Sequence, residues 1–184
     1  MRGVTRYDKR IWIFAAGLSA LAGFVDAVGF IELGGFFVSF MSGNSTRLAV
    51  GIAGGLPAVA ALAGSLIGCF VLGVMAGTLA ARRGGRQRGP VVLALVALLL
   101  ALAALVGAQG EVAIAALLMA AAMGAENAVF EREGEVAIGL TYMTGTLVKL
   151  GQRATAALLG GDRWGWVPYL MLWAGLIAGA VAGA

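Results

Sequence analysis

Apolar stretches alternate with short polar interruptions along the whole chain. Seven can be drawn, at about 11–31, 36–55, 56–81, 90–108, 111–130, 136–160 and 166–184. Five approach the twenty or so residues that a bilayer crossing needs. The stretches at 36–55 and 136–160 break the pattern. The first reads FFVSFMSGNSTRLAVGIAGG and places Ser39, Ser42, Asn44, Ser45, Thr46 and Arg47 around the helix breaker Gly43. Polar backbone and side chains at membrane depth persist only when buried in protein or lining a wet cavity. The pattern therefore predicts a break at Gly43–Asn44 and a half-helix over about 45–53, with Asn44 or Ser45 as its N-cap.

The same arrangement returns about a hundred residues later. Met41-Ser42-Gly43-Asn44-Ser45-Thr46-Arg47-Leu48 aligns with Met143-Thr144-Gly145-Thr146-Leu147-Val148-Lys149-Leu150. Upstream, Gly23-Phe24-Val25-Asp26-Ala27-Val28 aligns with Gly124-Ala125-Glu126-Asn127-Ala128-Val129. Downstream, each half ends in a glycine-ridged helix: Gly64, Gly68, Gly73 and Gly77 in one, Gly175, Gly179 and Gly183 in the other. Three matches in one order predict a duplication. Repeat 1 covers about 11–81, a linking span about 90–108, and repeat 2 about 111–184, all within a single transmembrane domain.

Composition fixes the class. Of 184 residues, 61% are hydrophobic and 12% charged, with a mean hydropathy of +0.95. A soluble domain keeps about a quarter of its residues charged. The chain is an integral membrane protein, its first partner the lipid bilayer. A signal-like start (basic residues, an apolar run, then Ala20-Leu21-Ala22) is read as a retained span, because the duplication needs it. The absence of histidine and the single cysteine, Cys69, leave no set for a His- or Cys-based metal site. No cofactor is expected, and enzyme chemistry would have to rest on carboxylates alone.

Charge then orients the spans. The net charge of +4 reflects topology, not nucleic-acid binding. Arg2, Arg6, Lys9 and Arg10 form one basic cluster, and Arg82, Arg83, Arg86 and Arg88 another. Both belong on the cytoplasmic side of the cell membrane. Two crossings put them there if 36–55 dips in and returns; three do not. The expected fold is thus an all-α multi-pass protein of two inverted repeats, each with an interrupted or re-entrant helix, in about five to seven membrane segments. If both broken stretches cross fully, the repeats are instead parallel.

The run GFVDAVGF followed by FVSFMSGNSTRLAV resembles the YoaK-like family of multi-pass membrane proteins, a domain of unknown function. The likeness is most specific over Gly23–Val50, with a weaker echo at Gly124–Arg153. It implies about six spans in two three-span repeats, a family and a location, and no activity.

The residues expected around a solute are Asp26, Ser42, Gly43, Asn44, Thr46 and Arg47 in one half, and Glu126, Asn127, Thr144, Gly145, Thr146 and Lys149 in the other. Asp26, midway through the first span, either carries a proton or cation, pairs with Arg47, or ties the first helix to the broken stretch. Arg47 and Lys149, early in the half-helices, call for an anion nearby. Glu126 could pair with Lys149. Two half-helix N-termini with two cations would suit a small anion, and two neutralised pairs a polar neutral solute. Tyr142, Phe40, Met41 and Met143 form either an apolar gate or packing. The small-xxx-small ridge Gly64, Gly68, Gly73 and Gly77 allows close helix approach, between the halves or between copies in a homo-oligomer. Trp164, Trp166, Tyr169 and Trp173 resemble an interfacial aromatic belt. A transporter or channel for a small polar or ionic solute is the leading expectation. A non-transporting accessory or scaffold protein and a membrane-embedded enzyme are the rivals.

Overall fold

The computed structural model describes residues 8–132, 135–136 and 138–184. Arg2 and Arg6 of the first basic cluster lie outside the described residues. Seven α-helices carry the chain: α1 (Lys9–Glu32), α2 (Met41–Ala53), α3 (Pro57–Gly84), α4 (Arg88–Gly107), α5 (Val112–Glu126), α6 (Met143–Leu158) and α7 (Val167–Gly183). A 3-10 turn, Asn127–Phe130, ends α5, and a two-residue antiparallel pair follows, β1 (Glu131–Arg132) with β2 (Glu135–Val136).

The helices pack in exchanged pairs. α1 of the first half lies against α7 of the second, and α3 of the first against α5 of the second. Glycine makes both contacts. A Cβ on Gly175, Gly179 or Gly183 would run into the backbone carbonyl of Ala16, Ala20 or Phe24 in turn, so α1 and α7 are parallel. A Cβ on Gly73 or Gly77 would strike Ala121 or Ala125, so α3 and α5 are parallel too. Each contact is closed from its other side by the repeat-equivalent glycines. Gly23 lies against Leu176 and Ala180, and Gly124 against Phe70 and Val74. Such backbone-to-backbone approach is what small residues permit where burial from water supplies no drive. Gly73 and Gly77 are therefore taken up between the halves of one chain. Gly64 meets only Leu48 and Gly68 faces open space.

The two pairs run in opposite directions. Near the start of α1, Phe14 meets Phe130 beyond the end of α5, ring centroids 6.0 Å apart. At its other end, Glu32 lines one cavity with Gly107 of α4 and Val112 of α5. Trp12 and Tyr169, early in α1 and α7, stack edge to face at 6.0 Å, so Tyr169 is packed inside and not in an aromatic belt. The chain thus leaves α1 and enters α3 at one end of the bundle. It leaves α5 and enters α7 at the other. The halves are inverted repeats of an all-α multi-pass membrane fold. Lys9 and Arg10 share an end of the bundle with Arg82, Arg83, Arg86 and Arg88.

Candidate functional site

After α1 the chain reverses sharply. Gly34 and Gly35 adopt φ of 62° and 99°, the left-handed region open to glycine, and the Gly35 amide closes on the Phe30 carbonyl at 2.7 Å. Residues 36–39 then run back along α1. Gly29 leaves room for this, since a Cβ there would strike Val38. The returning strand is fixed at the level of Asp26, whose Oδ1 accepts the amides of Val38 (2.7 Å) and Ser39 (2.8 Å). Asn44, fully buried, grips the same strand. Its Oδ1 accepts the Phe37 amide (3.1 Å) and its Nδ2 donates to the Phe37 carbonyl (2.6 Å).

These bonds correct the expected break. The irregular stretch precedes Met41 instead of falling at Gly43–Asn44, and α2 starts four residues earlier than its polar pattern suggested. Neither Asn44 nor Ser45 caps the helix. Asn44 is committed to Phe37, while Ser45 and Thr46 bond back to the Met41 and Ser42 carbonyls at 2.8 and 3.2 Å, as hydroxyls within helices do. Gly43 is packed under Phe37 and Phe40.

The second half repeats the design with different atoms. Asn127, at the place of Asp26, accepts the Thr141 hydroxyl at Oδ1 (3.2 Å) and donates to the Met123 carbonyl (3.0 Å). Thr141 occupies the position of Ser39. Asp26 and Asn127 thus do one job, holding the returning strand against the first helix of their half. Thr146 is buried at the place of Asn44. Ser19 of α1 binds the second break, its hydroxyl reaching the carbonyls of Leu140 (3.3 Å) and Leu172 (3.0 Å).

The two helix starts face one cavity of about 260 Å³, lined among others by Ser39, Met41, Ser42, Thr141, Thr144 and Gly145. Phe40 and Tyr142 precede the two helices with nearly the same φ, −89° and −88°, and neither helix has a side-chain cap. Among the described residues the amides of Met143, Thr144 and Gly145 have no backbone acceptor, nor has that of Ser42. Unsatisfied first-turn amides carry the positive end of the helix dipole. With the free hydroxyls of Ser42 and Thr144, the cavity can bind a small group rich in oxygen or bearing negative charge.

Of the twelve expected residues, Ser42, Thr144 and Gly145 line this cavity. Asp26, Gly43, Asn44, Asn127 and Thr146 shape or support the breaks, while Thr46 is exposed and bonds only within α2. The expected ion pairs do not form among the described residues. Arg47 lies over the Phe36 ring, 4.7 Å from its centroid, beside the Gly34–Gly35 turn, a cation–π contact in place of a carboxylate. Lys149 is exposed, whereas Glu126 is fully buried and neither of its carboxyl oxygens has a partner. The sequence reading missed Ser39 and Thr141 as partners of Asp26 and Asn127. Carrying the Met41–Met143 alignment two residues upstream pairs them.

Residues 14–184 match the family described as Protein of unknown function (DUF1275). A UPF0700 transmembrane protein of Rhizobium meliloti (strain 1021) is 39% identical over 169 residues, covering 92% of this chain and 72% of that protein. No solved structure matches. A match over nearly the whole length, with a relative that is itself a transmembrane protein, means that the chain belongs to the DUF1275 family of membrane proteins.

Proposed function

We propose that the protein is a transporter or channel for a small polar or anionic solute, which passes between the facing starts of α2 and α6. The observation that carries this reading is the pair of uncapped helix starts opening into one cavity. At a rise of 1.5 Å per residue, the 13 residues of α2 span about 20 Å, short of a bilayer core of about 30 Å. In this reading α2 is re-entrant, and α6 with it as its repeat counterpart, each returning to the side it came from. On the same reading the two helix starts meet at mid-membrane, as in transporters built on broken helices. Ser42 and Thr144 contact the solute, while Asp26, Asn44 and Asn127 hold the frame. The N-terminus and the 82–89 loop lie in the cytoplasm.

Two measurements test this. Single cysteines at Lys9 and Arg86, in a Cys69→Ser background, should react with an impermeant maleimide from the same side. Opposite sides would end the re-entrant arrangement. Purified protein in liposomes should accelerate the flux of at least one member of a panel of halides, small carboxylates, ammonium-type cations and neutral polyols. Ser42→Trp and Thr144→Trp, both at exposed cavity positions, should cut that flux about tenfold or more, a barrier change of about 1.4 kcal/mol, with melting temperature unchanged. A panel without accelerated flux would sink transport and leave a scaffold role.

A further inference from the structure

The buried carboxyl of Glu126 has no place in the architecture described so far. It is fully enclosed at the last turn of α5, and both of its oxygens lack a partner among the described residues. Its repeat-equivalent in α1 is Val25, also buried, so packing at this position of the fold is served by an apolar side chain. A carboxyl is therefore an addition made in one half only. The elements packed against α5 are α3, α4, α1 and the Asn127–Phe130 turn. Their charged or titratable side chains are Cys69, Arg82 and Arg83, then Arg88, then Lys9, Arg10, Asp26 and Glu32. The arginines, Lys9 and Glu32 are exposed and Cys69 is half-buried. Asp26 is held by two amides, and Glu131, just past the turn, accepts the Thr78 hydroxyl at 2.9 Å.

A buried polar group without a partner calls for a specific explanation, and an enclosed carboxylate lacking a counter-charge is costly. What Glu126 lacks is one positive charge. We propose that it is a protonation site, its carboxyl taking up and releasing one proton as the protein works. The link to the cavity is one residue long. Asn127, next in the chain, holds Thr141, which lines the cavity, and it also holds the Met123 carbonyl of the helix that carries Glu126. Occupancy at Glu126 therefore bears on the clamp that positions the second break. Only this coupling rests on the transport reading; the protonation site stands without it.

Readouts that need no transported solute separate the two. Wild-type protein in detergent is treated with dicyclohexylcarbodiimide, which modifies carboxyl groups in apolar surroundings, and the adduct is mapped by peptide mass spectrometry. Labelling is expected at Glu126. It should be lost on raising pH, and sodium chloride in place of choline chloride should not protect; protection by sodium would overturn the proposal. In parallel, the wild-type melting temperature should fall by several degrees as pH rises. Glu126→Gln and Glu126→Val, the second copying the other half, should not show that fall. No adduct at Glu126 under any condition, or wild-type sensitivity retained in either variant, would overturn the proposal. Flux that fails while labelling and melting behave as stated would count against transport alone.

Discussion

Gly179→Leu is expected to prevent the chain from accumulating as folded protein, and Gly73→Leu should fail in the same way. At Gly179 an added Cβ falls on the Ala20 carbonyl, and at Gly73 on that of Ala121. The obstacle in each case is helix backbone, which cannot rotate aside as a side chain would. Relief requires α1 and α7, or α3 and α5, to separate along their whole length. In a membrane that also forfeits the dispersion contacts on which helix association depends. The cost should reach about 3 kcal/mol or more, the upper part of the range for overpacking. The inverted design adds a sharper expectation. Gly73 and Gly179 hold the same register in their two contacts, so their substitutions should be about equally severe. Gly68→Ala, by contrast, points into open space and should be neutral. The check is the monodisperse fraction and melting temperature of detergent-extracted protein. Wild-type melting in Gly179→Leu would mean that α1 and α7 are not in this contact.

The glycine ridges were visible in the sequence; which helices they join was not. A small-xxx-small ridge declares that a close contact exists and is silent about the partner. The halves could be aligned at Met41 with Met143 and at Asp26 with Asn127, and the charge clusters favoured inversion. Both survive because periodicity and flank charge are properties of the chain itself. What failed depended on side-chain direction. Asn44 is a good N-cap residue by type, but the strand at Phe37 lies within reach of its amide, and a tertiary bond displaced the local one. Arg47 follows its long stem back to the Phe36 ring, as amphipathic side chains do. Glu126 and Lys149 sit on successive helices of one half, yet one faces the interior and the other the surroundings. No spacing rule shows which face of α5 is buried, because that helix is apolar nearly all round. The cavity between the helix starts was foreseen as convergence. Its lining was not, because the residues that support the breaks are of the same types as those that face the solute.

Asp26→Ala should destabilise the protein by about 3 kcal/mol or more, whereas Asp26→Asn should cost about 1 kcal/mol, because the two remove different things. Alanine leaves the amides of Val38 and Ser39 without an acceptor, and both residues are buried, at 0% and 5% exposure. Hydrogen bonds to a charged acceptor contribute about 1.5–3 kcal/mol each, and an orphaned buried donor carries its own desolvation cost. Asparagine keeps an oxygen at the same place and loses only the charge, which is how Asn127 holds Thr141 in the other half. The pair of variants also decides between two roles for a carboxylate inside a span. If Asp26 carried a proton or cation, Asp26→Asn would fold normally and abolish flux. If it is the clamp that its bonds describe, Asp26→Asn should keep most of the flux and Asp26→Ala should lose flux and melting temperature together. A stable Asp26→Ala with wild-type melting would show that the strand at 36–39 is held by something other than this carboxylate. The cavity would then lose the framework that brings its two helix starts together.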